Sequence, residues 1–239
     1  MMAKAIFITG TDTGVGKSIA SASIALLLKR QGHKVGVMKP VTSGCIMRDG
    51  ERVSEDAELL AFGAGIELTP DSTPFLLMAP LAPSISAEQE GVRIDFGVIK
   101  DAYQRLAAQY DYLIVEGAGG LMVPLAGGLL IADLAVNLGL PIAVVARPNL
   151  GTVNHTLLTT FTARQMGLEV KGVIVNRYPD HPDAACAYAP HLISSLSGAL
   201  LLGSFPEVPG EDDRARVTAV VDRLEREPET AIMLREMFG

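Results

Sequence analysis

Unbroken apolar runs of strand length alternate with longer stretches whose apolar residues recur at helical spacing. Ala5-Ile6-Phe7-Ile8-Thr9 reads as a strand, Ile19 to Arg30 as a helix, and Lys34 to Met38 as a second strand that ends where Pro40 disfavours helix. Ser54 to Leu60 opens a helix with Asp56 in its first turn, and Ile94 to Tyr110 keeps helical spacing through Phe96, Ile99, Tyr103 and Leu106. Further strands are predicted from Asp111 to Glu116, Pro141 to Ala146, Val170 to Asn176 and Ala199 to Phe205. Helices are predicted from Thr152 to Met166, Pro182 to Leu196 and Asp212 to Arg226. Proline-rich Pro70 to Pro83 predicts an irregular loop.

Strands that alternate with helices imply an α/β fold: a mainly parallel central sheet, right-handed crossovers and helices on both faces. Neither a repeat nor a linker interrupts the pattern, so one domain is expected over residues 1–239. In such sheets ligands collect at the carboxyl ends of the strands. Gly10, Lys39, Glu116 and Asn176 all fall there.

Composition narrows the class. Hydrophobic residues make up 49%, charged residues 20%, and mean hydropathy is +0.31, which suits a sheet buried on both faces. A net charge of -7 with no tryptophan argues against nucleic acid and acidic membranes as partners. Leu121 to Ala146 is the most membrane-like stretch, but Pro124, Gly127, Gly128, Asp133, Asn137 and Pro141 break it, which predicts buried strands and a helix. Cys45 and Cys186 match no metal spacing and read as unpaired thiols of a reducing compartment. The N-terminus runs straight into a strand rather than a signal peptide, so a cytoplasmic protein is expected.

Between the first strand and first helix lies Gly10-Thr11-Asp12-Thr13-Gly14-Val15-Gly16-Lys17-Ser18. Strand, glycine loop and helix together form a phosphate cradle: backbone N–H groups converge on an anion at the positive end of the helix dipole. Lys17 would reach the outer phosphates and Ser18 would ligate magnesium. Thr11 occupies the position where the usual motif has its first glycine, and Gly10 lies one residue early. Asp56 and Glu116 offer further hard oxygens for magnesium, although Asp56 also suits a helix start on dipole grounds. Lys39 is a second cation for the same triphosphate or a solvated strand-end lysine.

The segments Gly10-Thr11-Asp12-Thr13-x-Val15-Gly16-Lys17, Lys39-Pro40-Val41-x-Ser43-Gly44, Ile85-Ser86-Ala87, Val115-Glu116-Gly117-Ala118-Gly119-Gly120 and Asn154-His155 resemble the dethiobiotin synthetase family, in the family's order. The early glycine is itself a feature of that family. The resemblance implies a P-loop fold and an ATP- and Mg2+-dependent ring closure of 7,8-diaminononanoate with CO2 in biotin biosynthesis, through a carbamate and its mixed anhydride with phosphate. It implies catalytic roles for Lys39, Lys17 and Thr13. Nucleotide contacts fall to Gly14, Val15, Gly16, Ser18, Ile19, Asp56, Glu116, Gly117, Ala118 and Gly119, with Asn176, Arg177, Phe205, Pro206, Glu207 and Glu211 toward the adenine. Magnesium falls to Ser18, Asp56 and Glu116. Ser43, the helix-opening turn Gly151-Thr152-Val153-Asn154 and Tyr188 from a second subunit would hold the diamine, so a homodimer is expected.

Two positions depart from the pattern: Gly14 stands where some members carry glutamate, and Ser84 where histidine is frequent. Rival readings are a cobyrinate amide synthetase-like ligase, which needs a glutaminase domain for which this chain has no room, and a partitioning or cell-division ATPase switch. The switch reading calls for a lysine at Thr11 and a membrane-binding tail. Arg223 to Phe238 is helix-like but rich in acids.

Overall fold

The computed structural model describes residues 2–239. Strand β1 (Lys4–Gly10) leads into helix α1 (Lys17–Arg30), then β2 (Val35–Met38), β3 (Val41–Ser43), β4 (Ile46–Arg48), β5 (Glu51–Val53), α2 (Glu55–Ala64), β6 (Phe75–Leu77), α3 (Pro83–Glu90) and α4 (Phe96–Ala107). There follow β7 (Tyr112–Gly120), β8 (Pro124–Ala126), β9 (Leu129–Leu130), α5 (Ile131–Leu138), β10 (Ile142–Ala146), α6 (Thr152–Gln165), β11 (Val170–Tyr178), α7 (Ala184–Leu196), β12 (Leu201–Pro206), α8 (Asp213–Leu224) and α9 (Glu229–Phe238).

Six strands form the central sheet in the order β12-β11-β10-β1-β7-β2, and every neighbouring pair is parallel. Successive side chains leave opposite faces of a strand, so each strand feeds two layers. Ile6 and Ile8 of β1 join α1, α2, α8 and α9 in one core, whereas Phe7 joins α4, α5 and residues of α6 and α7 in the other. Ile114 against Leu113 and Val115 divides β7 in the same way. Each such fully buried side chain contributes about 1.5–3 kcal/mol of apolar transfer, which is why continuous apolar runs predict these strands.

From β1 the chain crosses to the edge strand β2, returns to β7, and then passes to the other side of β1 to form β10. Such a reversal opens a crevice at the strands' carboxyl ends, and here it falls where the glycine loop leaves β1.

The expected loop from Pro70 to Pro83 is more ordered than its composition suggests. Phe75–Leu77 pairs in parallel with Val41–Ser43, and Pro83 opens α3. Three-residue strands are too short to show a period, and this pairing depends on a distant segment. Asp49 and Gly50, both at positive φ, turn the β4–β5 hairpin. The C-terminal helical stretch divides at Pro228, and Met233, Leu234, Met237 and Phe238 of α9 are buried in the core rather than free for a membrane. Among the described residues no helix is long and apolar enough to cross a membrane. Cys45 and Cys186 are unpaired.

Candidate active site

Gly16 immediately precedes helix α1, its φ of 86° lies in the left-handed region, and no side chain caps the helix's first turn. The first N–H groups are therefore free for an anion. A Cβ at Gly16 would lie 2.1 Å from Asn176 Nδ2, so only glycine allows the loop to approach β11 this closely. Asn176 locks that approach: its Nδ2 donates to the carbonyls of Val15 (3.0 Å) and Gly16 (3.1 Å). Arg147, just past β10, pairs with Asp12 at 3.1 Å, and Asp12 Oδ1 accepts from Thr13 N at 2.7 Å. The loop is held from its far end and its near end before any ligand arrives.

Below the loop, four side chains from four segments form one polar cluster. Lys39 Nζ donates to Glu116 Oε1 (2.6 Å) and Asp56 Oδ2 (2.8 Å), while the single Ser18 hydroxyl proton is shared between Glu116 Oε1 (2.8 Å) and Asp56 Oδ1 (2.9 Å). Glu116 is 0% exposed and Lys39 4%, so these two charges are buried as a pair, while Asp56 and Ser18 are only partly covered. Ser18 comes from the first turn of α1, Lys39 from the end of β2 and Glu116 from the middle of β7. Asp56 stands in the first turn of α2, whose cap Ser54 accepts from Ala57 N at 3.1 Å and shares a buried 3.0 Å hydrogen bond with Thr42. That bond ties the start of α2 to the chain segment that follows Lys39.

Burial works against the Lys39 charge, but the attraction of Glu116 and then Asp56 outweighs it and holds the ammonium above its ordinary pKa. Burial of Lys17 acts the other way and, though Glu116 offsets part of it, leaves that ammonium below its usual value. Lys17 makes only one long contact, 3.4 Å from its Nζ to the carbonyl of Asp12. One lysine is thus neutralised by carboxylates, and the other is available to an incoming anion.

Two adjoining clefts open here. The first, about 320 Å³, is lined by Thr13, Gly14, Gly16, Lys17, Ser18, Ile19, Lys39, Ser43, Asp56, Ala118 and Gly119, together with Thr42, Leu59, Arg177 and Asp213. The second, about 490 Å³, has an apolar lining from Ile19, Pro206, Val208, Pro209 and Val220, with Asn176, Arg177, Glu207, Gly210, Asp213 and Arg216 around it. Asn176 Oδ1 is buried without a hydrogen-bond partner and can accept one.

Several expected contacts fall elsewhere. The Phe205 ring packs wholly in the core, because a strand residue whose neighbours line a pocket points to the opposite face. Val15 is buried in the same core and meets the site only through its backbone, and Gly117 lines neither cleft. Glu211 is exposed between Gly210 and Asp213 and also lines neither. Gly151, Thr152, Val153, Asn154 and Tyr188 lie outside both clefts within this one chain.

Sequence reasoning missed Asp213, Thr42, Leu59 and the Arg147–Asp12 pair. Only Asp213, beside the helix cap Asp212, carried a local signal. A third hollow of about 330 Å³ runs beside the loop, between Thr11, Asp12 and Thr13 and the side chains Leu121, Met122, Val123, Leu158, Thr159 and Thr162.

Comparison with known proteins adds independent findings. The family model described as "AAA domain" matches residues 4–214. An ATP-dependent dethiobiotin synthetase BioD of Bacillus licheniformis is 40% identical over 86% of this chain and 86% of its own length. The enzyme of the same name from Methanococcus vannielii is 46% identical over 73% of this chain and 80% of its own. Among solved structures, the MinC:MinD cell division complex of Aquifex aeolicus matches with a TM-score of 0.58 and 18% identity, covering 98% of this chain and 94% of that one. A ParA family ATPase from Chlorobium tepidum matches at 0.56 and 16%, covering 99% and 98%. These two likenesses show the fold.

Proposed function

Because the chain belongs to the family of ATP-dependent dethiobiotin synthetases, we propose that it joins 7,8-diaminononanoate and CO2 into dethiobiotin with the hydrolysis of ATP, in the biotin pathway of the cytoplasm. The observation that carries this reading is the hydrogen-bonded set of buried Lys39 and Glu116 with the half-buried Asp56 and Ser18, directly beneath a free phosphate loop. The reaction brings an anionic carbamate against an anionic γ-phosphate, so cations have to cancel the repulsion and meet the charge of transfer.

Ser18, Asp56 and Glu116 fit a magnesium ion. They offer hard oxygens, and the buried Oε2 of Glu116 has no hydrogen-bond partner. Bound there, the ion would supply charge neutralisation at the outer phosphates. Lys17 reaches those phosphates from the loop, with Thr13 beside them, and Lys39 faces the acceptor from the opposite side of the cleft. The apolar second cleft receives the adenine, whose amino group can donate to Asn176 Oδ1.

For the diamine, Ser43 lines the first cleft near the reacting end. The apolar hollow of Leu121, Met122, Val123 and Leu158 suits the carbon chain. The distal carboxylate meets the start of α6, where Gly151 offers no side-chain cap and the Thr152 hydroxyl is buried without a partner. Leu158, Phe161, Tyr188, Leu192 and Leu196 expose a run of apolar surface on the adjoining helices α6 and α7. That surface supports a homodimer in which Tyr188 completes the pocket of a second copy. The whole chain serves as one domain in this reading.

The test is direct. Purified protein given ATP, magnesium, bicarbonate and the diamine is expected to release phosphate only when the diamine is present, with dethiobiotin detected by mass spectrometry. Diamine-independent turnover without that product would favour the partitioning-ATPase reading and end this one. Lys39→Ala is expected to abolish product while ATP still binds by calorimetry.

A further inference from the structure

We infer that the Asp12 carboxylate binds an ammonium group of the diamine, a role that rests on the ring-closure reading above. Among the described residues that line the hollow assigned to the carbon chain, Asp12 is the only charged one. Its neighbour Thr13 is the only residue that this hollow shares with the phosphate cleft. A diamine with its reacting end beside Ser43 and its carbon chain in the hollow must therefore pass Thr13, which brings its amino groups alongside Asp12.

Charge accounting points to the same side chain. Alkyl amines hold their protons at neutral pH, so the substrate arrives at this end as a cation. Carrying an ammonium in among leucine, methionine and valine side chains is costly unless a fixed anion meets it. The carboxylates of the phosphate cleft are engaged elsewhere: Asp56 and Glu116 neutralise Lys39, and Asp213 pairs with Arg216 at 2.6 Å on the side toward the base. Gly14, farther along the loop, adds no side chain.

Local geometry leaves Asp12 ready for a further partner. Its Oδ1 accepts from Thr13 N at 2.7 Å, which fixes the direction of the carboxylate, and its Oδ2 pairs with Arg147 at 3.1 Å. A carboxylate has about four acceptor positions over its two oxygens, so each oxygen keeps room for an N–H of the ammonium. The pair with Arg147 is open to solvent, 52% for Asp12 and 42% for Arg147, and such a pair is weak in water. A diamine seated over the hollow displaces that water and strengthens the attraction of the carboxylate for its own charge.

The full-length chain and its Asp12→Asn and Arg147→Gln variants are assayed for dethiobiotin at varied diamine concentration and titrated with ATP and magnesium by calorimetry. Asparagine keeps an Oδ1 that can accept from Thr13 N and removes only the charge. Expected for Asp12→Asn is a rise of about tenfold in KM for the diamine, consistent with a lost charge-assisted contact, with ATP affinity unchanged. Arg147→Gln leaves the carboxylate in place, so its KM is expected to stay at or below that of the unmodified chain. Unchanged KM in Asp12→Asn overturns the inference. So does a parallel loss of ATP affinity, or an equal rise in KM in Arg147→Gln, either of which would reduce the ion pair to a brace for the loop. Absence of dethiobiotin from the unmodified chain would instead overturn the functional reading itself.

Discussion

Glu116 and Lys39 illustrate how much a single side chain can be asked to do. A carboxylate with no exposed surface is tolerated because Lys39 and Ser18 both donate to one of its oxygens. Its other oxygen is buried without a hydrogen-bond partner, the position proposed above for magnesium. Asp56 completes the set from a more open position. Burial alone would raise its carboxyl, but the Lys39 charge, with hydrogen bonds from Lys39 and Ser18, holds it below the ordinary value of 3.8.

A carboxyl depressed on folding lends stability that is whole above its unfolded value and is lost as pH falls through the folded one. Urea melts of the ligand-free protein between about pH 5 and pH 2 are therefore expected to fall less steeply for Asp56→Asn than for the unmodified chain. Parallel curves would mean that the ion pair lends no stability. At this scale Lys17, Ser18, Asp56 and Glu116 were legible, since each sits beside a local strand or helix signal. The locking of Lys39 between two carboxylates was not, because its partners are 17 and 77 residues away.

The elements that carry these residues are set by short-range chemistry and then joined by long-range contacts. Ser54 is a helix cap of the expected kind, accepting from Ala57 N, while its hydroxyl also meets Thr42 across the cleft wall. Ser54→Ala is expected to cost about 1 kcal/mol of stability in urea and to weaken Mg·ATP binding, because the first turn of α2 bearing Asp56 loses its tie to the segment after Lys39. A stability loss with unchanged Mg·ATP affinity would reduce Ser54 to an ordinary cap.

Helix α1 shows the reverse arrangement. Its start lacks a side-chain cap, which leaves donors for phosphate, and Lys29 and Arg30 in its last turn suit the negative end of the dipole. The β3–β6 pair escaped sequence reading because each strand has three residues and finds its partner only in the folded chain.

Across the whole molecule, the exposed apolar residues of α6 and α7 lie away from the two clefts and form the face on which a second copy is proposed to dock. Phe161 is 63% exposed on that face. Phe161→Arg is expected to shift the sedimenting species from dimer to monomer and to lower turnover with it. Retention of dimer mass, or monomer mass for the unmodified protein, would remove that assembly.

Local pattern along the chain was enough to establish alternating strands and helices, the phosphate loop after the first strand and the acid on the strand later seen beside it. Apolar period, glycine placement and helix caps act over a few residues and can be read in order. Tertiary structure alone decided that Lys39 is held by two carboxylates, that Asn176 clamps the loop and that Phe205 turns into the core. It also decided that Arg177 stands where the clefts meet. Those outcomes depend on which face of a strand a side chain leaves and which distant segment the sheet order brings beside it, and neither is encoded within a local window.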